Sequence, residues 1–143
     1  MEKLVRFGPW ISRGVLLGAT FIFSMIGLRY ITDPVHASAQ TGVSLGSALA
    51  TTTTRVGFGA FPLGLAIFTF TCLISTRRLL TGVGLVAIVI TTAIVVRILG
   101  LIADGPAPES TRLFVPEIVM LTLSVAGMIL ETARRRKQPG AAA

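Results

Sequence analysis

The sequence predicts an all-α membrane protein: four transmembrane helices in an up-down bundle with both termini cytoplasmic. Three observations carry this. First, residues 56–75 contain no charge, residues 79–103 contain only Arg97, residues 113–132 contain only Glu117 and a terminal Glu131, and residues 10–31 are apolar between Arg13 and Arg29. About 20 apolar residues at 1.5 Å each cross the hydrocarbon core, so each stretch is long enough. Second, the mean hydropathy is +0.82, with 52% hydrophobic and 13% charged residues, far below the roughly 25% charge of soluble domains. Third, the basic residues fall on alternate sides of the spans. Lys3, Arg6, Arg13, Arg77, Arg78, Arg134, Arg135, Arg136 and Lys137 lie on the side of the N-terminus, against Arg29, Arg55 and Arg112 opposite, which places the N-terminal side in the cytoplasm.

The 143 residues have room for a single four-helix transmembrane domain over residues 1–133, with spans near 10–31, 56–75, 79–103 and 113–132, and a basic, disordered cytoplasmic tail over 134–143. Ala37-Ser38-Ala39 has the form of a signal cleavage site, but Arg29 and Asp33 interrupt the approach to it, so span one is expected as an uncleaved helix. In the long loop 32–54, Asp33-Pro34 reads as a helix start, carboxylate cap first and proline next. A short helix over about 34–40 is expected there, with helix resuming near 44–50. The Thr51 to Thr54 run suits a helix entrance whose hydroxyls bond nearby backbone. Ser75 to Arg78 suffice for the turn between spans two and three, and the prolines of loop 104–112 are expected to halt any helix. Short loops make consecutive spans antiparallel neighbours.

Small residues let helices approach in lipid. Gly14 and Gly18 form a GxxxG in span one, Gly57, Ala60 and Gly64 line one side of span two, and Gly82 lies in span three. Intramolecular packing is the expected use of all of them. Pro62 is expected to kink span two by removing a backbone bond and crowding the preceding turn.

Ionisable residues in or beside the spans are the candidates for a site. Each costs roughly 2.5–3.5 kcal/mol in hydrocarbon on insertion scales and therefore faces protein or water. Arg29 and Asp33 end span one, Arg55 opens span two, Arg97 lies seven residues before Asp104, and Glu117 lies five after Arg112. All gather toward one side of the membrane. Depth allows Arg97 to pair with Glu117 across antiparallel spans, with Arg55 or Asp33 completing a network. Arg97, Gly100 and Asp104 share a helix face, and the glycine leaves room for a partner. Structural readings stand beside this one. Glu117 after Pro116 fits a first turn, offsetting the helix dipole; Arg97 fits snorkelling to the headgroups; an ion pair fits a register-setting role.

Other chemistry is missing from the sequence. One cysteine, Cys72, allows no internal disulfide or CxxC site and reads as inert core. One histidine, His36, builds no metal centre, and no nucleophile triad or phosphate loop is present. No cofactor and no metal are expected. The net charge of +7 owes four to residues 134–137, a topology signal and anionic-lipid contact rather than a nucleic-acid surface.

Leu28-Arg-Tyr-Ile-Thr-Asp-Pro34, Thr54-Arg-Val-Gly-Phe-Gly59, Arg97-Ile-Leu-Gly-Leu-Ile-Ala-Asp-Gly105 and Pro116-Glu117, in that order, resemble a family of small bacterial four-helix membrane proteins of unknown function, the DUF4345 type. The likeness runs over about residues 14–133. It implies a multi-pass protein of the bacterial inner membrane and directs attention to Arg55, Arg97, Asp104 and Glu117, without an activity. Phe61-Pro62 departs from the smoother, Gly-rich helix of that pattern.

Three functions follow in order of expectation. The first is a non-catalytic protein that binds a lipid or hydrophobic ligand or serves as an accessory subunit, its partners being membrane lipids, a homo-oligomer or another membrane protein. The second is a small oligomeric transporter or channel, disfavoured by the lack of charge in the inner halves of the spans. The third is an intramembrane enzyme using Glu117 as acid or base, which requires a cavity against that carboxyl and a raised pKa.

Overall fold

The computed structural model describes residues 2–105 and 108–137. It is all-α, with no strand among the described residues. The helices are α1 (Glu2–Thr32), α2 (Pro34–Ala39), α3 (Ala48–Thr54), α4 (Phe61–Leu73), α5 (Leu79–Asp104) and α6 (Pro108–Lys137), with a wider π-helical turn, Arg55–Ala60, joining α3 to α4. Four stretches are long and apolar enough to cross a membrane: Phe7–Thr32, Ala48–Leu73, Leu79–Asp104 and Thr111–Arg136, 26 residues each. Each is about 39 Å long at helical rise. Phe21, Phe61 and Ile102 leave 68%, 70% and 77% of their surface open. Apolar exposure on that scale suits hydrocarbon as the surrounding solvent.

The chain divides into two compact units, Met1–Leu16 with Cys72–Ala143, and Leu17–Thr71. In the first, α5 and α6 run antiparallel and the opening of α1 packs on both. Leu16, Leu79, Val83 and Val86 are fully buried. Gly82 makes this possible, because a Cβ there would lie 2.6 Å from Cys72 Cβ and 2.7 Å from a Leu16 methyl. Gly127 receives Ser12 in the same way, with only 3.2 Å between its missing Cβ and the Ser12 hydroxyl. Cys72 is buried, as core should be.

In the second unit, the later half of α1 lies antiparallel to α4. Gly27 meets backbone directly: its Cβ would sit 2.9 Å from both Gly59 O and Leu63 N. Gly59 in turn faces Ile31. Further along, Thr69 Oγ1 donates to Leu65 O at 2.9 Å, so the 2.9 Å contact between Thr20 and Thr69 hydroxyls is donated by Thr20. Tyr30 and Phe58 stack with ring centroids 5.4 Å apart.

The short helix after span one forms as expected. Asp33 Oδ1 accepts from His36 N at 3.2 Å, and Pro34 follows it in the first turn. Helix resumes at Ala48, capped by Ser47, whose Oγ accepts from Ala50 N at 3.1 Å. Thr51 Oγ1 donates back to Ser47 O, the local bonding anticipated for the threonine run. That run lies inside one continuous rod, so the second spanning segment begins at Ala48 rather than residue 56.

Several expectations are corrected. Gly14, Gly18, Gly57 and Gly64 have open space where packing was expected. For span two the reason is the π turn, in which Phe61 N bonds Val56 O, five residues back. The extra residue shifts the phase, so a face drawn with a 3.6-residue period across it is misassigned, and Gly59 makes the approach instead. Pro62 explains the turn: its ring would collide with the carbonyl four residues earlier, and widening the helix just before it makes room. Loop 104–112 is shorter than expected. Gly105, at φ +90°, turns the chain sharply in a conformation that suits glycine, and α6 starts at Pro108. Proline is tolerated inside spanning helices because neighbouring groups re-satisfy the freed backbone, so Pro116 sits within α6. Arg134, Arg135, Arg136 and Lys137, expected as the start of a tail, form the last turn of α6; residues 138–143 lie outside the described residues.

Candidate functional site

Arg97 on α5 and Glu117 on α6 meet. Arg97 Nε donates to both carboxylate oxygens at 3.2 and 3.1 Å, and Nη2 donates to Oε1 at 2.5 Å. The fork geometry of guanidinium on carboxylate makes this one of the stronger side-chain pairings. Their side chains keep only 22% and 15% of their exposure, so the pair is neither snorkelled into water nor fully enclosed. Glu117 is the tenth residue of α6, well past the first turn, where dipole effects have died away. The helix-start reading of Glu117 is therefore wrong: the helix begins earlier than its proline suggested. What the pair does directly is tie two antiparallel spans about 10 Å below the Asp104 end of α5.

Asp104, the remaining candidate in the same unit, does not join that pair. Asp104 is exposed at the end of α5, its carboxylate 3.8 Å from where a Gly100 Cβ would be; it folds back over the glycine that was expected to leave space. Arg29, Asp33 and Arg55 belong to the other unit. Arg55 is exposed at the start of the π turn. Asp33 is engaged in capping α2. Arg29 Nη2 donates to Gln40 Oε1, and Gln40 Nε2 lies 3.2 Å from His36 Nε2.

That second group outlines a cleft. Met25, Ile26 and Ala37 form its apolar wall, and Arg29, Tyr30, Gln40 and Thr41 its polar side, around about 230 Å³. The short helix creates it: Asp33 and Pro34 turn the chain back so that α2 lies beside the last turns of α1. The chemistry on offer is a guanidinium, a phenol, an amide and a hydroxyl over an apolar floor. An amphiphile with an anionic or hydrogen-bonding head matches it.

One polar centre was not among the sequence candidates. Glu131 is fully buried in the first unit. Its Oε1 accepts from Arg134 Nε at 3.1 Å and from Arg134 Nη2, with Arg135 Nε at 3.9 Å. Arg134 and Arg135 also reach the α4–α5 turn, donating to Thr76 O at 3.4 Å and Arg77 O at 2.5 Å. Arg13 Nη2 donates to Thr76 Oγ1 at 3.2 Å and its guanidinium stacks 5.9 Å from the Trp10 ring. Glu131 Oε2 and Ser12 Oγ, both buried, have no partner among the described residues. The signal was present in the sequence as a glutamate three and four residues before two arginines, the spacing of helical ion pairs. No family model matches this chain, and no curated protein or solved structure matches it.

Proposed function

We propose that this chain is a non-catalytic multi-pass protein of a bacterial inner membrane that binds an amphiphile, a lipid or another hydrophobic molecule with an anionic head, in the cleft between the end of α1 and α2. The observation that carries the reading is the composition of that cleft: an apolar wall beside Arg29, Tyr30, Gln40 and Thr41, at the end of a segment long enough to span. There a ligand's tail meets hydrocarbon and its head meets donors. Arginine suits a carboxylate or phosphate because its fork matches their geometry. The basic residues, nine on the side of the N-terminus against three opposite, support cytoplasmic termini and hence an outward-facing cleft. Arg97 and Glu117 act in this reading as a register pair, not as reactants.

Native mass spectrometry of the detergent-released protein tests it. The wild-type chain is expected to retain lipid-sized adducts, and Arg29→Ala to weaken their retention about tenfold, the equivalent of about 1.4 kcal/mol. Arg29 is exposed, and among the described residues its side chain bonds only that of Gln40, so the variant should remain folded. Equal retention by wild type and variant would remove the cleft as the site. A protein partner that co-purifies with a lipid-free chain would favour the accessory-subunit version instead.

A further inference from the structure

The Glu131 centre gathers charge at one end of the first unit. Arg13, Arg134 and Arg135 all bond the Thr76–Arg77 stretch, and Arg77 and Arg78 belong to the same turn. Glu131, the one carboxylate described among them, is fully buried and paired with Arg134, so it cancels that one charge and leaves the other arginines of this end uncompensated by it. Three of the guanidiniums are fixed in place by bonds to the turn. The sequence gives residues 134–136 equal standing, but the structure separates them. Arg134 and Arg135 fasten α6 to the turn, whereas Arg136 is exposed and has no hydrogen bond or ion pair among the described residues.

Arg136 stands at the end of a shallow, open groove of about 420 Å³ on the face of α6, lined by Met128, Ile129, Thr132 and Ala133 of that one helix. From Met128 to Arg136 is about 12 Å at helical rise, most of one leaflet's half of a hydrocarbon core about 30 Å thick. An apolar track of leaflet depth, ending at an unpaired guanidinium within a positive field, has the layout of a phospholipid.

We propose that this groove seats an anionic phospholipid, one acyl chain lying along Met128, Ile129 and Thr132 and the headgroup phosphate facing Arg136. Arg13, Arg77 and Arg78 supply attraction at longer range, and Arg134 and Arg135 hold the end of α6 rigid beneath the headgroup. The site is separate from the Arg29 cleft and stands or falls independently of it.

The test is native mass spectrometry of the full chain released from nanodiscs holding phosphatidylglycerol and phosphatidylcholine of identical acyl composition. Wild type is expected to retain phosphatidylglycerol in preference by about fivefold, the scale of one basic residue at a membrane surface. With Arg29→Ala as a common background, so that the other cleft does not contribute, Arg136→Ala should remove most of the preference and Arg136→Lys should keep most of it, with thermal unfolding unchanged by either. Arg112→Ala, at an exposed arginine near the other end of α6, should leave the preference intact. Glycerol phosphate at millimolar concentration should not displace the lipid; displacement would assign the site to a soluble anion and overturn the lipid reading. Absence of a preference in wild type, or its survival in Arg136→Ala, would overturn the proposal.

Discussion

Replacing Glu117 with alanine is expected to destabilise the protein by about 3 kcal/mol, the lower end for breaking an enclosed ion pair because both side chains keep some exposure. The cost arises from what is left behind. Arg97 Nε and Nη2 both donate to Glu117, and without it the guanidinium is an uncompensated cation on a spanning helix. Glu117→Gln should cost less, since the amide oxygen still accepts a hydrogen bond. The informative comparison is the double replacement Arg97→Met with Glu117→Leu, which removes both charges at similar volume. Where a pair serves as helix register alone, such replacement is close to neutral or stabilising. Unfolding by SDS in mixed micelles measures all three. A double variant as unstable as Glu117→Ala would mean that the pair contributes more than mutual compensation.

Gly27→Val should be of similar size, about 3 kcal/mol, at the upper end of the usual overpacking range. The atoms in the way are backbone, Gly59 O and Leu63 N, both 2.9 Å from the missing Cβ, and neither can rotate aside as a side chain would. Gly14→Ala is the matching control. Open space surrounds that glycine, so alanine should be neutral or stabilise α1 by about 0.5–1 kcal/mol through helix propensity. Thermal unfolding of both variants in detergent reads the contrast. Equal losses would show that the close approach at Gly27 is relieved by a shift of α4.

These two cases mark how far the sequence could be read. Arg97 and Glu117 were legible because lipid makes charge costly: two opposite charges at matching depth on antiparallel neighbours have few other ways to be satisfied. The capped start at Asp33 and Pro34 was legible because cap chemistry is local. Gly14 and Gly27 were not separable, since both are span-one glycines and only the tertiary contact distinguishes them. The end of α5 was read to within one residue, but α6 was read too short at its start, at residue 113 rather than Pro108, and at residue 134. Hydropathy marks where hydrocarbon stops, whereas backbone hydrogen bonding carries a helix on into the headgroups. Glu131 was passed over because it sits at the edge of its apolar stretch, where a carboxylate ordinarily meets water. Its burial depends on Arg134 and Arg135 turning back over it, and on a core that admits Ser12 against Gly127.

The widened turn at Arg55–Ala60 builds a fixed phase shift into the second spanning rod. One surplus residue is accommodated there, so the helical facings before and after it are out of step by about 100°. Losing a single residue from this stretch would draw it back to ordinary pitch, press the Pro62 ring against the carbonyl four residues earlier and swing α3 around its own axis. The surplus residue therefore does two things at once: it gives the proline room, and it sets the direction in which α3 carries the loop before it.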